Sequence, residues 1–315
     1  MATSTTYTPS GITYAVREDL SDVITNIAPT DTVFMSNISK TKIKNKYTEW
    51  LIDTLTTAAN CAITEGNDAS MTTIAAQTRT GNYTQISAKW FAISDTLETV
   101  DKAGRKSEVA YQTSLFLKML ARDMEYGLIN NTVASSTDPR QLCGLKGWVT
   151  SCAYNFTTGT ASTTMTETQF NDMIEYIWKN GGNPGMVMTS SNLKRKISAF
   201  TGNAKITTNM DAENKKIILS VDYYESDFGV VKVYSSRFIA EDSNPVGGGN
   251  GTLSGAGYYS VFFLEKEKWQ MGVLKPLVVE KLAKTGLATK VQMSTEYTLI
   301  SRQQQASGRI QRIAP

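Results

Sequence analysis

A chain of 315 residues, 41 % of them hydrophobic, holds enough apolar side chains to build one large domain or two modest ones around a packed core. Its 32 Lys and Arg exceed its 29 Asp and Glu by only three, too small an imbalance for the strongly basic domain of a nucleic-acid binder. Histidine is absent, which excludes Ser-His-Asp and Cys-His nucleophilic sites, HExxH zinc sites and the commonest general acid or base near neutral pH.

The opening MATSTTYTPS has neither the apolar stretch of a secretory signal nor the arginines of a transit peptide, so no targeting segment is expected. Apolar runs such as Val261 to Leu264 fall far short of the roughly 20 residues of a membrane span, and no membrane partner is expected. Residues 11–28 place Leu20, Val23, Ile24 and Ile27 at helical spacing, Pro29 ends that helix, and the chain beyond it is predicted to run extended. In KTKIKNK the lysines alternate, so a strand here would put Lys40, Lys42, Lys44 and Lys46 on one face. Two readings of that row stand side by side. It is an exposed edge whose charges deter unwanted pairing, or it is a surface facing carboxylates of a neighbouring subunit or a packaged genome.

Residues 46–55 and 81–94 are β-rich and flank about 25 residues of Thr, Ala, Asn, Asp, Gly and Ser with little large apolar content. A loop of that length and composition is uncommon in a compact domain unless it has a task, and reaching over a neighbour is one such task. Trp50 and Trp90 flank it and are expected to form a cross-strand aromatic pair. From Ser107 to Asn130 the spacing predicts the best helix of the chain. Val109, Thr113, Phe116, Leu117, Leu120, Met124 and Leu128 recur every three or four residues, and Lys118, Arg122 and Glu125 occupy other faces. Its stripe requires a sheet, for which residues 268–283 and 287–302, strand-like and joined by KTG, are the candidates.

Everything between that helix and those strands is predicted to be an inserted second unit. It contains an amphipathic helix at Glu167–Lys179 stopped by GGNPG, a buried strand at Met186–Ser190, a Ser-capped helix at 191–200 and a strand at 229–234. The NLKRKI cluster spreads its charges round a helix and reads as a solvated face. Cys61, Cys143 and Cys152 have no metal-ligand spacing and read as free thiols, a Cys143–Cys152 bridge being the alternative.

No phosphate-binding glycine signature is present, and GGGNG at 247–251 reads as a loop. Carboxylate-only hydrolysis needs two acids about 5–10 Å apart, for which Glu265 and Glu267 on one strand face are the candidates. Their interleaving with Lys266 and Lys268 reads instead as a solvated strand or contact surface.

Four segments carry a family resemblance by their order and spacing. They are ITNIAPTDTVFMSNISKTK (24–42), AISDTLETVDKAGRKSEVAYQ (92–112) with DMEYGLINN (123–131), GLKGW (144–148), and LAKTGLATKVQMSTEYTLI (282–300) with SGRI (307–310). Together they resemble the major capsid proteins of tailed bacteriophages with the HK97 fold, in the branch of short-tailed phage shells similar to SU10. Val33 where relatives usually have proline, Leu287 in place of a small polar residue and QQQ at 303–305 in place of a more charged run mark the chain as a divergent member.

The resemblance implies an α+β capsid fold with an N-terminal arm at 1–47 and an extended loop at 48–94. A spine helix of the peripheral domain is expected at 95–140, an axial domain at 141–262, and terminal strands of the peripheral domain at 263–315. It implies self-assembly through pentamers and hexamers into an icosahedral virion shell, built in the bacterial cytoplasm around double-stranded DNA held by non-specific contact. Portal, scaffold or decoration proteins are further partners, and no cofactor, metal or catalytic residue is implied. The expected inter-subunit contacts are Lys40, Lys42, Lys44, Lys46, Trp50, Trp90, Glu265 and Glu267. Two rivals are kept: a protein nanocompartment shell of the same fold enclosing enzyme cargo, and a carboxylate-dependent hydrolase.

Overall fold

The computed structural model describes residues 31–53, 55, 58–68, 71, 74, 76–101, 106–150, 153–155, 165–200, 222–240 and 259–313. The helix predicted at 11–28, Cys152 and the GGGNG loop lie outside them. In chain order the elements are α1 (Val33–Asn37), β1 (Ser39–Lys42), β2 (Tyr47–Ile52), β3 (Thr78–Tyr83), β4 (Gln85–Ser94), α2 (Asp95–Thr99), α3 (Glu108–Asn130), α4 (Leu145–Trp148) and β5 (Ala153–Asn155). Then follow α5 (Glu167–Lys179), β6 (Met186–Thr189), α6 (Ser191–Ser198), β7 (Tyr223–Ser226), β8 (Gly229–Ser235), β9 (Tyr259–Leu264), β10 (Trp269–Lys281), β11 (Ala288–Ser301) and β12 (Gly308–Ile313).

The described residues build two sheets and a separate two-stranded ribbon. The first sheet has the order β1-β10-β11-β4, so segments about 200 residues apart in sequence lie side by side: Trp90 is opposite Gln292 and Phe91 opposite Val291. Strand alternation puts Val291, Met293, Thr295 and Tyr297 on one face, all buried, and α3 lies across them. Phe116 of α3 meets Phe91 of β4 at 5.0 Å between ring centroids, and Leu120, Met124 and Leu128 continue the seam. The helix spans 23 residues, about 35 Å at 1.5 Å per residue, and starts on a Ser107 side chain that accepts the Ala110 N–H.

The second sheet has the order β5-β12-β9-β6-β8-β7 and both its faces are covered. Val187, Val231, Val233, Val261, Phe263 and Ile310 meet Phe170, Ile174 and Ile177 of α5 and Leu193 and Ile197 of α6. Met186, Met188, Phe262 and Leu264 face the other way, into the core shared with α3 and α4. This double burial is why MVMT is apolar without alternation. Gly144 and Gly147 of the GLKGW segment let α4 press against the end of α3. A Cβ on Gly144 would stand 2.7 Å from the carbonyl oxygens of Gly127 and Leu128, and one on Gly147 would overlap the Thr132 carbonyl oxygen.

Several expectations are corrected. Residues 33–37, expected to be extended, form α1. Its Thr32 cap makes no side-chain bond to the helix backbone, and the carboxylate of Glu125, expected on a face of α3 away from its apolar stripe, accepts the N–H groups of Phe34 (2.6 Å) and Met35 (2.8 Å) instead. The stretch 81–94 is two strands rather than one. At Thr84, whose N–H bonds the Lys46 carbonyl, the chain leaves its pairing with β2 and joins β11, so β4 belongs to the first sheet and not to the loop excursion. Of the closing segments, β10 and β11 form the expected hairpin, but β12 pairs with β9 and β5 in the second sheet. Ser190 precedes α6 without a side-chain cap bond. Cys143 is a buried free thiol, and its alternative bridge partner Cys152 lies outside the described residues. Among the described residues no helix is long and apolar enough to cross a membrane.

Candidate assembly surfaces

The β2–β3 ribbon is anchored at one end and bare at the other. At its base Trp50 is buried against Trp148 of α4 (5.5 Å), and Tyr47 stacks on Tyr83 (4.5 Å). Buried Asn82 forms the hinge. Its amide oxygen accepts the Cys143 N–H (2.9 Å), and its NH2 donates to the carbonyls of Cys143 (2.9 Å) and Leu299 (2.8 Å), tying β3 to both the post-spine loop and β11. Farther out, Arg79 pairs with Glu49 (3.1 Å), and Gln77 donates to Asp53 (3.2 Å) at the neck of the loop. Beyond the neck, Leu55, Ile63, Met71 and Ile74 are 76–100 % exposed. Four large apolar side chains beyond the neck are thus left uncovered by the described residues. They went unnoticed in the sequence because each stands alone among Thr, Ala and Asn.

Trp50 and Trp90 do not pair. Register sets Trp50 opposite Thr80, while Trp90 stands on β4 opposite Gln292 and is 69 % exposed on the sheet face away from α3. Ile86, also exposed, lies on the same face of β4, so the bare face carries an apolar row along its edge strand. The four lysines are all exposed, but only Lys40 and Lys42 lie in β1, an edge of the first sheet; Lys44 and Lys46 follow in the turn to β2. Glu265 and Glu267 share no strand face, because Lys266–Lys268 form a 3-10 turn between β9 and β10. Glu265 is engaged within the chain, accepting the Asn183 N–H (3.2 Å) and lying 3.7 Å from Lys268 Nζ, whereas Glu267 remains exposed.

Three buried ionisable groups are shifted by their surroundings. Burial pushes the Cys143 thiol up to about 11 and the Tyr297 phenol up to about 12, the latter beside the Ser87 hydroxyl at 3.2 Å. Burial also raises the Glu125 carboxyl, against the two backbone N–H bonds that lower it. A cleft of about 490 Å³ beside α6 is lined by Ser190, Ser191, Asn192, Ser235, Ser236 and Arg237 among others, without a carboxylate among its described lining residues.

The described residues thus leave three surfaces bare: the tip of the ribbon, the Ile86–Trp90 row and the lysine-bearing edge. The SU10 major capsid protein family matches residues 2–314. The chain belongs to that family. A comparison with curated protein sequences returns no match. Solved structures similar to this capsid protein include the cyanophage A-1(L) capsid asymmetric unit, with a TM-score of 0.69 at 12 % identity over 98 % of this chain and 99 % of that one. The capsid of a native GTA particle computed with C5 symmetry gives 0.67 at 11 % over 96 % and 97 %, and Mycobacterium phage Bobi 0.63 at 11 % over 96 % and 98 %. The fold is that of HK97-type capsid proteins, and this major capsid protein is a subunit of a phage capsid shell.

Proposed function

We propose that many copies of the chain close through pentamers and hexamers into an icosahedral shell around double-stranded DNA, assembled in the bacterial cytoplasm. The role is mechanical and not catalytic. The first sheet with α3 serves as the peripheral domain and the second sheet as the axial one, whose loops meet around the symmetry axes. DNA is held by diffuse contact, in keeping with a net charge of only +3.

The observation that carries this reading is the loop beyond the β2–β3 neck, whose large apolar side chains are left bare by their own chain. A two-stranded ribbon is marginal by itself, so this one gains its outer support from a neighbouring subunit. Trp90 and Ile86 on the bare sheet face are further candidates for cover.

The test is expression of the chain with and without Asn60–Thr78, followed by size-exclusion chromatography with light scattering and negative-stain microscopy. The full chain is expected to give closed particles, tubes or capsomer rings, and the deletion a soluble helical subunit that forms none. Wild-type-like particles from the deletion refute the task assigned to the loop. Particles assembled in a host that hold protein cargo in place of DNA would favour a nanocompartment.

A further inference from the structure

Two oppositely charged surfaces of this chain have no use within it. Residues 32–48 contain Lys40, Lys42, Lys44 and Lys46 and no acid, while residues 53–77 contain Asp53, Glu65 and Asp68 and no Lys or Arg. All four lysines are exposed, as are Glu65 and Asp68, and none of the six has an ion-pair or hydrogen-bonding side-chain partner among the described residues. Asp53 is held at the neck by Gln77. The two sets also leave the ribbon from opposite ends: Lys46 immediately precedes β2, and the loop begins at the far end of that six-residue strand, about 20 Å away at 3.3 Å per residue.

We propose that the acidic loop of one copy seats on the lysine-bearing edge of the next, with Glu65 and Asp68 set against Lys42, Lys44 and their neighbours. This rests on the reading of the loop as a lap over an adjacent subunit and names what it laps onto. Different patches on one molecule that complement each other make a head-to-tail contact, which closes into a ring when the rotation permits. A row of like charges repels itself, and the same row under an acidic loop is neutralised, so the lysines both keep the free edge from pairing and select the correct occupant. Exposed pairs are individually weak, so the contribution is to steering and register, with apolar side chains of the loop supplying the burial. Contacts of this kind weaken with ionic strength.

The experiment is a charge swap in the full chain, comparing K42E/K44E, E65K/D68K and the combination of all four changes. Circular dichroism and melting are expected to be unchanged, because these side chains hold nothing in the subunit. Each reversal is expected to cut particle yield at low salt by about tenfold, and the combination to restore most of it. Either reversal assembling at the wild-type level, or a combination that stays as defective as its parts, overturns the pairing while leaving the lapping loop intact. Particles from the Asn60–Thr78 deletion overturn both. Should a reversal destabilise the subunit, carbodiimide coupling of wild-type particles reads the same contact. Lys40–Lys46 peptides joined to the Glu65–Asp68 peptide between isotopically distinct copies support the pairing, and their absence overturns it.

Discussion

Helix α3 and the loop between β2 and β3 are both long and both attached to the first sheet, yet their apolar side chains meet different surroundings. Along α3 every large apolar side chain of the seam has an intramolecular counterpart, Phe116 on Phe91 and Leu120, Met124 and Leu128 within the core. Beyond the β2–β3 neck none of Leu55, Ile63, Met71 and Ile74 has one. Burial completed within the chain sets the stability of the subunit, and on the proposed reading of the loop the burial left incomplete is reserved for the shell. Mutations should therefore separate cleanly, those in the first class unfolding the subunit and those in the second sparing it but stopping assembly.

The largest effect is expected where three parts of the subunit meet. Trp269 is fully buried, lies edge-on to Phe34 of α1 (6.3 Å) and donates its indole N–H to Ser307 (2.8 Å) just before β12. Trp269→Ala should cost about 3–5 kcal/mol in urea unfolding, from the cavity and an orphaned hydroxyl together. Asn82→Ala comes next, at about 1–3 kcal/mol, because it strips partners from buried backbone groups of Cys143 and Leu299. It should also speed proteolysis of the β2–β3 ribbon, since the hinge holding that ribbon to the body is lost.

Glu125 gives a smaller effect with a defined sign. Burial raises its folded-state pKa above the ordinary 4.5, so the folded protein binds this proton more tightly than the unfolded chain does. Its contribution to stability is accordingly greatest below 4.5 and is lost as pH rises through the raised folded value, the reverse of a salt-bridged carboxylate. In Glu125→Gln that part of the pH dependence should vanish, read as the difference between the two unfolding free energies from pH 4 upward. A difference that grows more favourable to the wild type with rising pH would mean that the Phe34 and Met35 N–H bonds outweigh desolvation.

Elements with their own periodicity were legible in the sequence. The stripe of α3, the paired apolar runs of β10 and β11, the amphipathic α5 and the doubly buried MVMT all announce themselves within a dozen residues or so. What escaped depends on contacts far along the chain. The five-residue α1 is capped by a carboxylate 91 positions away from Phe34, which no local signal reveals. The break at Thr84 leaves the composition of GNYTQISAKW unbroken, because only the identity of the pairing strand changes there. β12 joins the second sheet through pairing with β9, and the pattern GRIQRI is the same in either sheet. Of the candidate contacts, the lysine row was legible as exposed charge, whereas Trp50 and Trp90 were separated by the same unseen break. Glu265 lost its strand face to a 3-10 turn.

The smallest change in subunit stability is expected from Ile63→Ser with Ile74→Ser, and it sharpens the contrast most. Both side chains are more than three-quarters exposed, so removing their apolar surface takes away nothing the isolated subunit buries, and unfolding should shift by no more than about 0.5 kcal/mol. On the proposed reading a neighbour covers the same residues in the shell, at an expected gain of about 1.5–3 kcal/mol each when fully buried, and every subunit repeats the contact. A loss of that size at each interface should abolish particles at concentrations where the wild type assembles, while circular dichroism and melting stay superimposable. If the double variant melts several degrees lower, these side chains pack within the subunit after all. If it melts normally and still forms shells, the loop's apolar residues are not what the neighbour covers, and the apolar row of Ile86 and Trp90 on the bare sheet face becomes the place where the subunits hold together.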